Sequence, residues 1–173
     1  RDKTATPAQR RHRAAQLQAL CRQHDALFLV NDDPALAADI DADGVHIGQS
    51  DGGIARARRL LGPGKIIGVT CHSDLALAEQ AAAAGADYVA FGRFFPSRTK
   101  PLAPPADPAI LDQARQQLTI PLVAIGGIDS DNGGQLLERS ADALAVIHAL
   151  FSAPAPDQVE RAAQQLSALF NAV

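Results

Sequence analysis

The sequence predicts an α/β protein, namely a (β/α)8 TIM barrel whose first two strands are largely missing. Six short apolar runs of strand character alternate with helical segments about every 20 to 30 residues, as in a parallel sheet. No Gly-x-Gly-x-x-Gly follows a strand, which argues against a dinucleotide-binding sheet. A barrel has eight strand–helix units, and a helix without a strand of its own precedes the six.

That first helix is expected over residues 7–24. Thr6 precedes Pro7, and a hydroxyl residue followed by proline is typical of a helix start. Apolar residues recur at helical spacing after it and indicate an amphipathic helix; they are Ala14, Leu17, Leu20 and Cys21.

The other elements follow from apolar runs and the residues that interrupt them. A continuous apolar run predicts a buried strand at 26–30, and further short strands are predicted at 44–47, 65–70, 86–91, 121–125 and 142–147. Helices are predicted at 34–38, 54–61, 75–84, 109–118, 131–139 and 155–170. Residues 92–108 form a long loop that is dense in proline and cationic residues, and such loops in compact domains are commonly functional.

A single barrel domain is expected to span residues 1–173. The 173 residues, 47% of them hydrophobic, suffice for one core. The chain begins with Arg1 and contains no methionine, so we expect the barrel to be incomplete at its N-terminal end. The segment 1–3 would then be the end of the second strand.

Charge and cysteine content narrow the class of function. The net charge is −3, and nothing in the sequence suggests a nucleic-acid-binding face or a polybasic membrane patch, so we expect neither nucleic-acid nor membrane partners. No apolar run approaches the ~18 residues of a membrane span. Two cysteines, Cys21 and Cys71, are too few for a disulfide framework and fit a reducing cytoplasm.

Carboxylates follow two of the predicted strands. Asn31 and Asp32 end the first strand, and Asp51 lies just after the second. Because the carboxyl ends of parallel strands share one face, Asp32 and Asp51 should be neighbours, and such a pair suits Mg²⁺. The alternative interpretation is that Asp32 and Asp33 cap the helix that begins at Pro34.

The loop after the fourth strand carries a second motif. Ser97, Arg98, Thr99 and Lys100 offer hydroxyls and positive charge of the kind that binds phosphate. The alternative is a solvated, proline-rich basic loop. Gly126-Gly127 follows the fifth strand, and a backbone without side chains lets an anion approach closely. The alternative is a plain tight turn.

The third strand ends in polar residues. Thr70 could hydrogen-bond a phosphate. His72 could act as a general acid, although a plain polar residue at a helix start is the favoured interpretation. His46 lies within a strand and is better explained as a core or rim histidine than as a ligand.

Taken together, these segments resemble thiamine phosphate synthases from Arg1 to the last helix. Each motif is weak alone, whereas six in the family's order are specific. The matching motifs are Arg1-x-Lys3, Asn31-Asp32-Asp33, His46-Ile47-Gly48-Gln49-x-Asp51, Gly68-Val69-Thr70-x-His72, Pro96-Ser97-x-Thr99-Lys100 and Ile125-Gly126-Gly127-Ile128.

The resemblance implies a Mg²⁺-dependent transferase of thiamine biosynthesis on a TIM barrel. Hydroxymethylpyrimidine diphosphate and a thiazole phosphate would condense to thiamine phosphate and pyrophosphate. The implied chemistry is dissociative: the bond to pyrophosphate breaks first, and the thiazole nitrogen captures the pyrimidine cation. Such a step needs charge neutralisation at the leaving group and no nucleophile–base pair.

The resemblance also implies roles for individual residues. Asp32 and Asp51 would hold Mg²⁺, and Thr70 and Lys100 would be the catalytic contacts to pyrophosphate. The remaining implied substrate contacts are Arg1, Lys3 and Asn31 for the pyrimidine diphosphate, and Ser97, Arg98, Thr99 and Gly127 for the thiazole phosphate.

Some positions depart from the family pattern. A glutamine expected two residues before Arg1 lies outside the chain. Thr70 stands where serine is usual and Ser97 where threonine is usual, and both exchanges keep the hydroxyl. His148 occupies the place of a serine that often binds the thiazole phosphate, and we leave it out of the predicted site.

Other functions stay open on sequence grounds. A related thiazole tautomerase resembles the synthase but lacks the metal-binding pair, and there the residue at His72 would do acid–base work; Asp32 and Asp51 favour the synthase. A non-catalytic barrel that binds phosphorylated metabolites is a further alternative. We expect small-molecule substrates, while a homo-oligomer and a carboxyl group on the thiazole stay open.

Overall fold

The computed structural model describes residues 4–99 and 102–171. They form two compact units: the first contains residues 4–70 and 83–87, and the second contains 71–82, 88–99 and 102–171. Within these ranges, every helix is too short or too polar to span a bilayer.

Helices and strands alternate along the chain as predicted. The strands are β1 (Leu29–Asn31), β2 (Gly44–Ile47), β3 (Ile66–His72), β4 (Tyr88–Phe91), β5 (Leu122–Ile125) and β6 (Ala143–Ala145). The helices are α1 (Pro7–Gln23), α2 (Pro34–Asp39), α3 (Gly53–Leu61), α4 (Leu75–Ala83), α5 (Ala109–Gln117), α6 (Gly134–Leu137), α7 (His148–Phe151) and α8 (Pro156–Ala168), with a 3₁₀ turn at Leu169–Asn171.

In the first unit, β1, β2 and β3 pair in parallel. The register places Asn31 beside His46 and His46 beside Gly68. The buried side chains along these strands, with Ala37 of α2 and Ala57 of α3, form the core of this unit; they are Val30, Val45, Ile47, Ile67 and Val69. The three strands therefore end at one common edge.

In the second unit, β4, β5 and β6 also pair in parallel, with Phe91 beside Ala124 and Ile125 beside Ala145. Phe91, Leu111, Leu122 and Leu136 are fully buried there. Six parallel strands confirm the predicted α/β class. The part of the chain that the structure describes does not show a complete eight-stranded barrel.

The start of α1 confirms the prediction, whereas its predicted apolar face is wrong in part. The Thr6 hydroxyl accepts the N–H of Gln9, and the Gln9 side-chain oxygen accepts the N–H of Thr6. Ala14 is buried, but Leu17 and Leu20 are each 52% exposed. A polar residue, Gln18, is buried instead, and its amide donates to the carbonyl of Asp41 at 2.7 Å.

The last third of the chain differs most from the prediction. The helix predicted at 131–139 shrinks to α6, because the Asp129 carboxylate accepts the N–H groups of Asp131 and Asn132 and holds them in a turn. The strand predicted to reach residue 147 ends at Ala145, and the short helix α7 was not predicted.

Three aspartates repeat one contact at the start of alternate strands. Asp43, Asp87 and Asp142 each lie just before a strand. Their carboxylates accept the N–H groups of Phe28 at 2.8 Å, Ile67 at 2.8 Å and Leu122 at 2.7 Å. Arg58 also pairs with Asp87 at 2.8 Å, and Arg115 pairs with Asp142. The contact fixes the beginning of one strand to its neighbour.

Candidate active site

Asp32 lies directly after β1 in a left-handed conformation, with φ of +66°. Its N–H donates to the carbonyl of His46 at 2.8 Å, which continues the pairing of β1 with β2 past the end of β1. A left-handed backbone at a residue other than glycine is uncommon, and such residues concentrate at functional sites.

Asp51 belongs to the tight turn that follows β2. Its carboxylate Oδ2 accepts the N–H of Gly48 at 2.7 Å, and its own N–H donates to the Gly48 carbonyl at 3.4 Å. Because Gly48 follows β2 immediately, the Asp51 carboxylate returns to the carboxyl end of that strand. The structure therefore places Asp32 and Asp51 at the ends of two adjacent paired strands.

Asp33 makes different contacts from Asp32. Its carboxylate accepts the N–H of Leu36 at 3.0 Å and so caps α2, and it lies 3.4 Å from the guanidinium of Arg10. The capping alternative is thus correct for Asp33, whereas the cap contact of α2 does not involve Asp32.

The donor set at these strand ends suits Mg²⁺. Asp32, Asp51 and the amide of Asn31 are hard oxygen donors, and all three side chains are partly accessible to solvent. Within the described residues, no three His, Cys, Asp or Glu side chains cluster as an all-protein metal cage would require. Mg²⁺ commonly takes only one or two carboxylates and completes its shell with water and phosphate, so the residues present fit this ion.

Thr70 is a buried polar residue near the end of β3, with 6% exposure. Its hydroxyl lies 2.7 Å from Nε2 of His46, and its carbonyl accepts the side-chain amide of Gln49 at 2.6 Å. His46 is therefore a hydrogen-bonded rim histidine, as the sequence predicted. The sequence did not predict that His46 and Gln49 both hydrogen-bond to Thr70, although both belong to the motif that contains Asp51.

Cys71 follows Thr70 but offers no nucleophile. Its side chain is fully buried, and this burial raises the pKa of the thiol to about 12, with the charge of Asp74 adding to the shift. The thiol therefore stays protonated at neutral pH. His72, one residue on, is exposed and has a left-handed φ of +54°.

In the second unit, the loop after β4 runs along the turn after β5. The N–H groups of Phe94 and Phe95 donate to the carbonyls of Ile125 and Gly126 at 3.2 and 3.0 Å. Gly127 has φ of +68°, and a Cβ there would lie 2.4 Å from the carbonyl oxygen of Pro96. Only glycine allows this approach, so the turn and the loop fit each other closely.

Ser97, Arg98 and Thr99 follow on that loop. Thr99 donates its N–H to the Ser97 hydroxyl at 3.3 Å, and the Arg98 and Thr99 side chains are exposed. The structure thus brings Ser97 and Thr99 together and packs Gly127 against the preceding residue, Pro96. The predicted residues Arg1, Lys3 and Lys100 lie outside the described residues.

Asn132 is a supporting residue that sequence reasoning missed. Its side-chain amide donates to the carbonyl of Gly127 at 3.1 Å, and its Oδ1 accepts the N–H of Asp129 at 3.0 Å. Asn132 thereby holds the glycine turn in place. The clustering of Asp and Asn directly after Gly126-Gly127 was the available signal, since such residues commonly bind neighbouring backbone groups.

Comparisons with known proteins show the family of this chain. The model of the thiamine monophosphate synthase family matches residues 1–150. The chain is 65% identical over 170 residues to a thiamine-phosphate synthase of Alcanivorax borkumensis, a match that covers 98% of the chain and 78% of the relative. A thiamine-phosphate synthase of Saccharophagus degradans is 53% identical, with coverages of 98% and 76%. The solved thiamine phosphate pyrophosphorylase from Pyrococcus furiosus superposes with a TM-score of 0.88 at 34% identity, covering 98% of this chain and 80% of that one.

Proposed function

The chain belongs to the thiamine monophosphate synthase family, and we propose how its residues join hydroxymethylpyrimidine diphosphate to thiazole phosphate. The activity is that of a thiamine-phosphate synthase, a transferase of thiamine biosynthesis. The residue-level proposal is carried by one observation: Asp32 directly follows β1, the Asp51 carboxylate binds the N–H of Gly48 directly after β2, and these two strands pair in parallel.

Asp32 and Asp51 are the proposed Mg²⁺ ligands. When bound there, the ion would neutralise charge on the departing pyrophosphate as a Lewis acid. The hydrogen bond from the Gly48 N–H orients the Asp51 carboxylate, and the bond from the Asp32 N–H to the His46 carbonyl fixes the Asp32 backbone, so both residues are positioned before substrate binds. Asn31 supplies a neutral amide beside them for the pyrimidine diphosphate.

Thr70 is proposed to contact the pyrophosphate as its charge develops. With Nε2 of His46 at 2.7 Å, the Thr70 hydroxyl is held in one orientation. Proton abstraction plays no part in the proposed step: the C–O bond to pyrophosphate breaks, its electron pair leaves with pyrophosphate, and the thiazole nitrogen then bonds to the pyrimidine carbon. The protonated thiol of Cys71 accords with this absence of covalent catalysis.

Ser97, Arg98, Thr99 and Gly127 are the proposed subsite for the thiazole phosphate. Two hydroxyls, a guanidinium and glycine backbone are suitable partners for a phosphate monoester. Arg1, Lys3 and Lys100 keep the roles that the sequence suggests, with Lys100 as a cation at the pyrophosphate. A complete (β/α)8 barrel in a single domain, a cytoplasmic location and a homo-oligomer also remain proposals.

The proposal is tested by following pyrophosphate release from the two substrates. We expect release to require both substrates and Mg²⁺, to stop on addition of a chelator and to resume when Mg²⁺ is restored in excess. Release that continues at full rate in the chelator would contradict the metal assignment. Conversion of a thiazole tautomer without pyrophosphate release would contradict the transferase itself.

A further inference from the structure

Arg93 is the first residue after β4 whose side chain extends into the long loop. Its Nε donates to the carbonyl of Ala103 at 2.7 Å and its Nη1 donates to the carbonyl of Phe95 at 3.3 Å. Ala103 lies on the returning arm of the loop and Phe95 on the outgoing arm. One half-buried guanidinium therefore joins the two arms.

The backbone of Arg93 takes part in the same closure. Its carbonyl accepts the N–H of Ala106 at 2.8 Å, again on the returning arm. Gly126 leaves no room for a side chain, because a Cβ there would lie 2.3 Å from the Cβ of Arg93. The side chain of Arg93 is thus confined on one side by the turn after β5 and attached on the other to the base of the loop.

We propose that Arg93 is a positioning residue for the Ser97–Thr99 segment, and that it sets the affinity for the phosphate of the thiazole substrate. Ser97 and Thr99 lie beyond the anchored parts of the two arms. The hydrogen bonds of Phe94 and Phe95 to Ile125 and Gly126 hold the outgoing arm only. Arg93 supplies the link to the other arm. This inference rests on the proposed function of Ser97 and Thr99.

The guanidinium is needed for its shape as well as its charge. Two carbonyls on different arms require two N–H groups in a fixed fork, which lysine does not offer. Arg93→Lys keeps the charge and the number of tryptic sites, so it isolates the fork. Arg93→Gln provides a second, neutral variant.

Arg115 offers a matched control in the same unit. It also donates to two backbone carbonyls, those of Leu118 at 3.5 Å and Ser140 at 3.3 Å, and both lie outside the loop. Arg115→Lys should therefore lower stability as Arg93→Lys does, without moving the loop.

Two measurements test the proposal. Tryptic cleavage at the exposed Arg98–Thr99 bond, followed by mass spectrometry under native conditions, should be roughly tenfold faster in Arg93→Lys, because each lost bond from a charged donor is worth about that factor. The KM for thiazole phosphate should rise by a similar factor of about ten, while the KM for the pyrimidine diphosphate stays unchanged. Arg115→Lys should match the wild type in both.

The results that would overturn the inference differ from the result that would contradict the proposed function. Cleavage at the wild-type rate in Arg93→Lys, or faster cleavage with an unchanged KM, would overturn it. Loss of cooperative unfolding in both Arg93 variants would assign the residue to fold stability and overturn it as well. A wild-type protein that releases no pyrophosphate would contradict the proposed function, a result that is distinct from an unchanged Arg93→Lys in an active enzyme.

Discussion

At the scale of single residues, Asp32 and Asp33 have the same chemistry but different surroundings. Asp33 caps α2 and pairs with Arg10, whereas Asp32 ends β1 in a left-handed conformation beside the end of β2. The sequence alone could not divide the metal and capping roles between them, because both follow the same strand and both precede Pro34.

This division predicts opposite effects of two adjacent substitutions. Asp32→Ala should reduce Mg²⁺-dependent turnover by roughly 10²-fold or more, because it removes a metal ligand, and should leave the cap intact. Asp33→Ala should cost about 1 kcal/mol of unfolding free energy through the lost cap and leave turnover near normal. Pyrophosphate release and urea unfolding of both variants are the measurements. Normal turnover in Asp32→Ala would remove Asp32 from the site.

Thr70 allows a test of the hydroxyl alone. Thr70→Val keeps the shape but removes the group that meets His46, and we expect turnover to fall by roughly tenfold to a hundredfold. Thr70→Ser retains the hydroxyl and should keep most of the activity. Equal rates in the valine and serine variants would contradict a role for the hydroxyl.

At the scale of elements, the repeated aspartate contact explains how neighbouring strands keep their register. Asp87 accepts the N–H of Ile67, a fully buried residue of β3, and also pairs with Arg58. The corresponding contact of Asp43 with the N–H of Phe28 lies at the start of β1 and β2, whose ends carry Asp32 and Asp51, and a slip between these two strands would move each side chain to the opposite face.

Asp87→Ala should therefore destabilise the fold by about 1–3 kcal/mol, because it leaves a buried N–H without its acceptor. The control is Asp112→Ala, which removes only a surface ion pair with Arg139 and should cost less than about 1 kcal/mol. Urea unfolding followed by circular dichroism measures both. Equal losses of unfolding free energy in the two variants would mean that the buried contact of Asp87 stabilises the fold no more than a surface ion pair does.

The sequence predicted elements well where apolar runs and terminal residues agree. β2 and the start of α1 match the prediction because Gly44 and Thr6–Pro7 mark their limits locally. Prediction failed where side chains bind the backbone: Asp129 turns residues that have helical composition into a loop. The burial of Gln18 could not be predicted either, because its hydrogen-bond partner is a carbonyl 23 residues away in the sequence.

At the scale of the whole molecule, buried titratable groups make stability depend on alkaline pH. Burial raises the pKa of Cys71 from 9.0 to about 12 and that of Tyr88 from 10.0 to about 12. Between these values the unfolded chain releases protons that the folded chain retains. The stabilisation is therefore complete below about pH 9 and is lost as the pH rises toward 12.

We expect the unfolding free energy to fall by roughly 2 kcal/mol between about pH 7.5 and about pH 10.5 through Cys71 alone. Cys71→Ala should show a smaller alkaline loss than the wild type, and Tyr88→Phe should reduce it further. Urea unfolding at the two pH values measures the difference. An alkaline loss of the same size in all three proteins would contradict this origin.

The family and the class of fold could be predicted from the order of the motifs, because the motifs that contain Asn31, Asp51, Thr70 and Gly127 lie at or directly after strand ends. The contacts that join the two arms of the long loop could not be predicted, because Arg93 donates to backbone carbonyls, which every residue has. Arg1, Lys3 and Lys100 stay predictions from sequence.

The central claim is that Asp32 and Asp51 hold the Mg²⁺ that supports pyrophosphate departure. The most direct test measures pyrophosphate release against Mg²⁺ concentration in the wild type and in Asp51→Asn. Asparagine can still accept the Gly48 N–H but lacks the charge, so the turn stays while the ligand weakens. We predict that the half-saturating Mg²⁺ concentration rises about tenfold or more. Superimposable curves for the two proteins would contradict the claim.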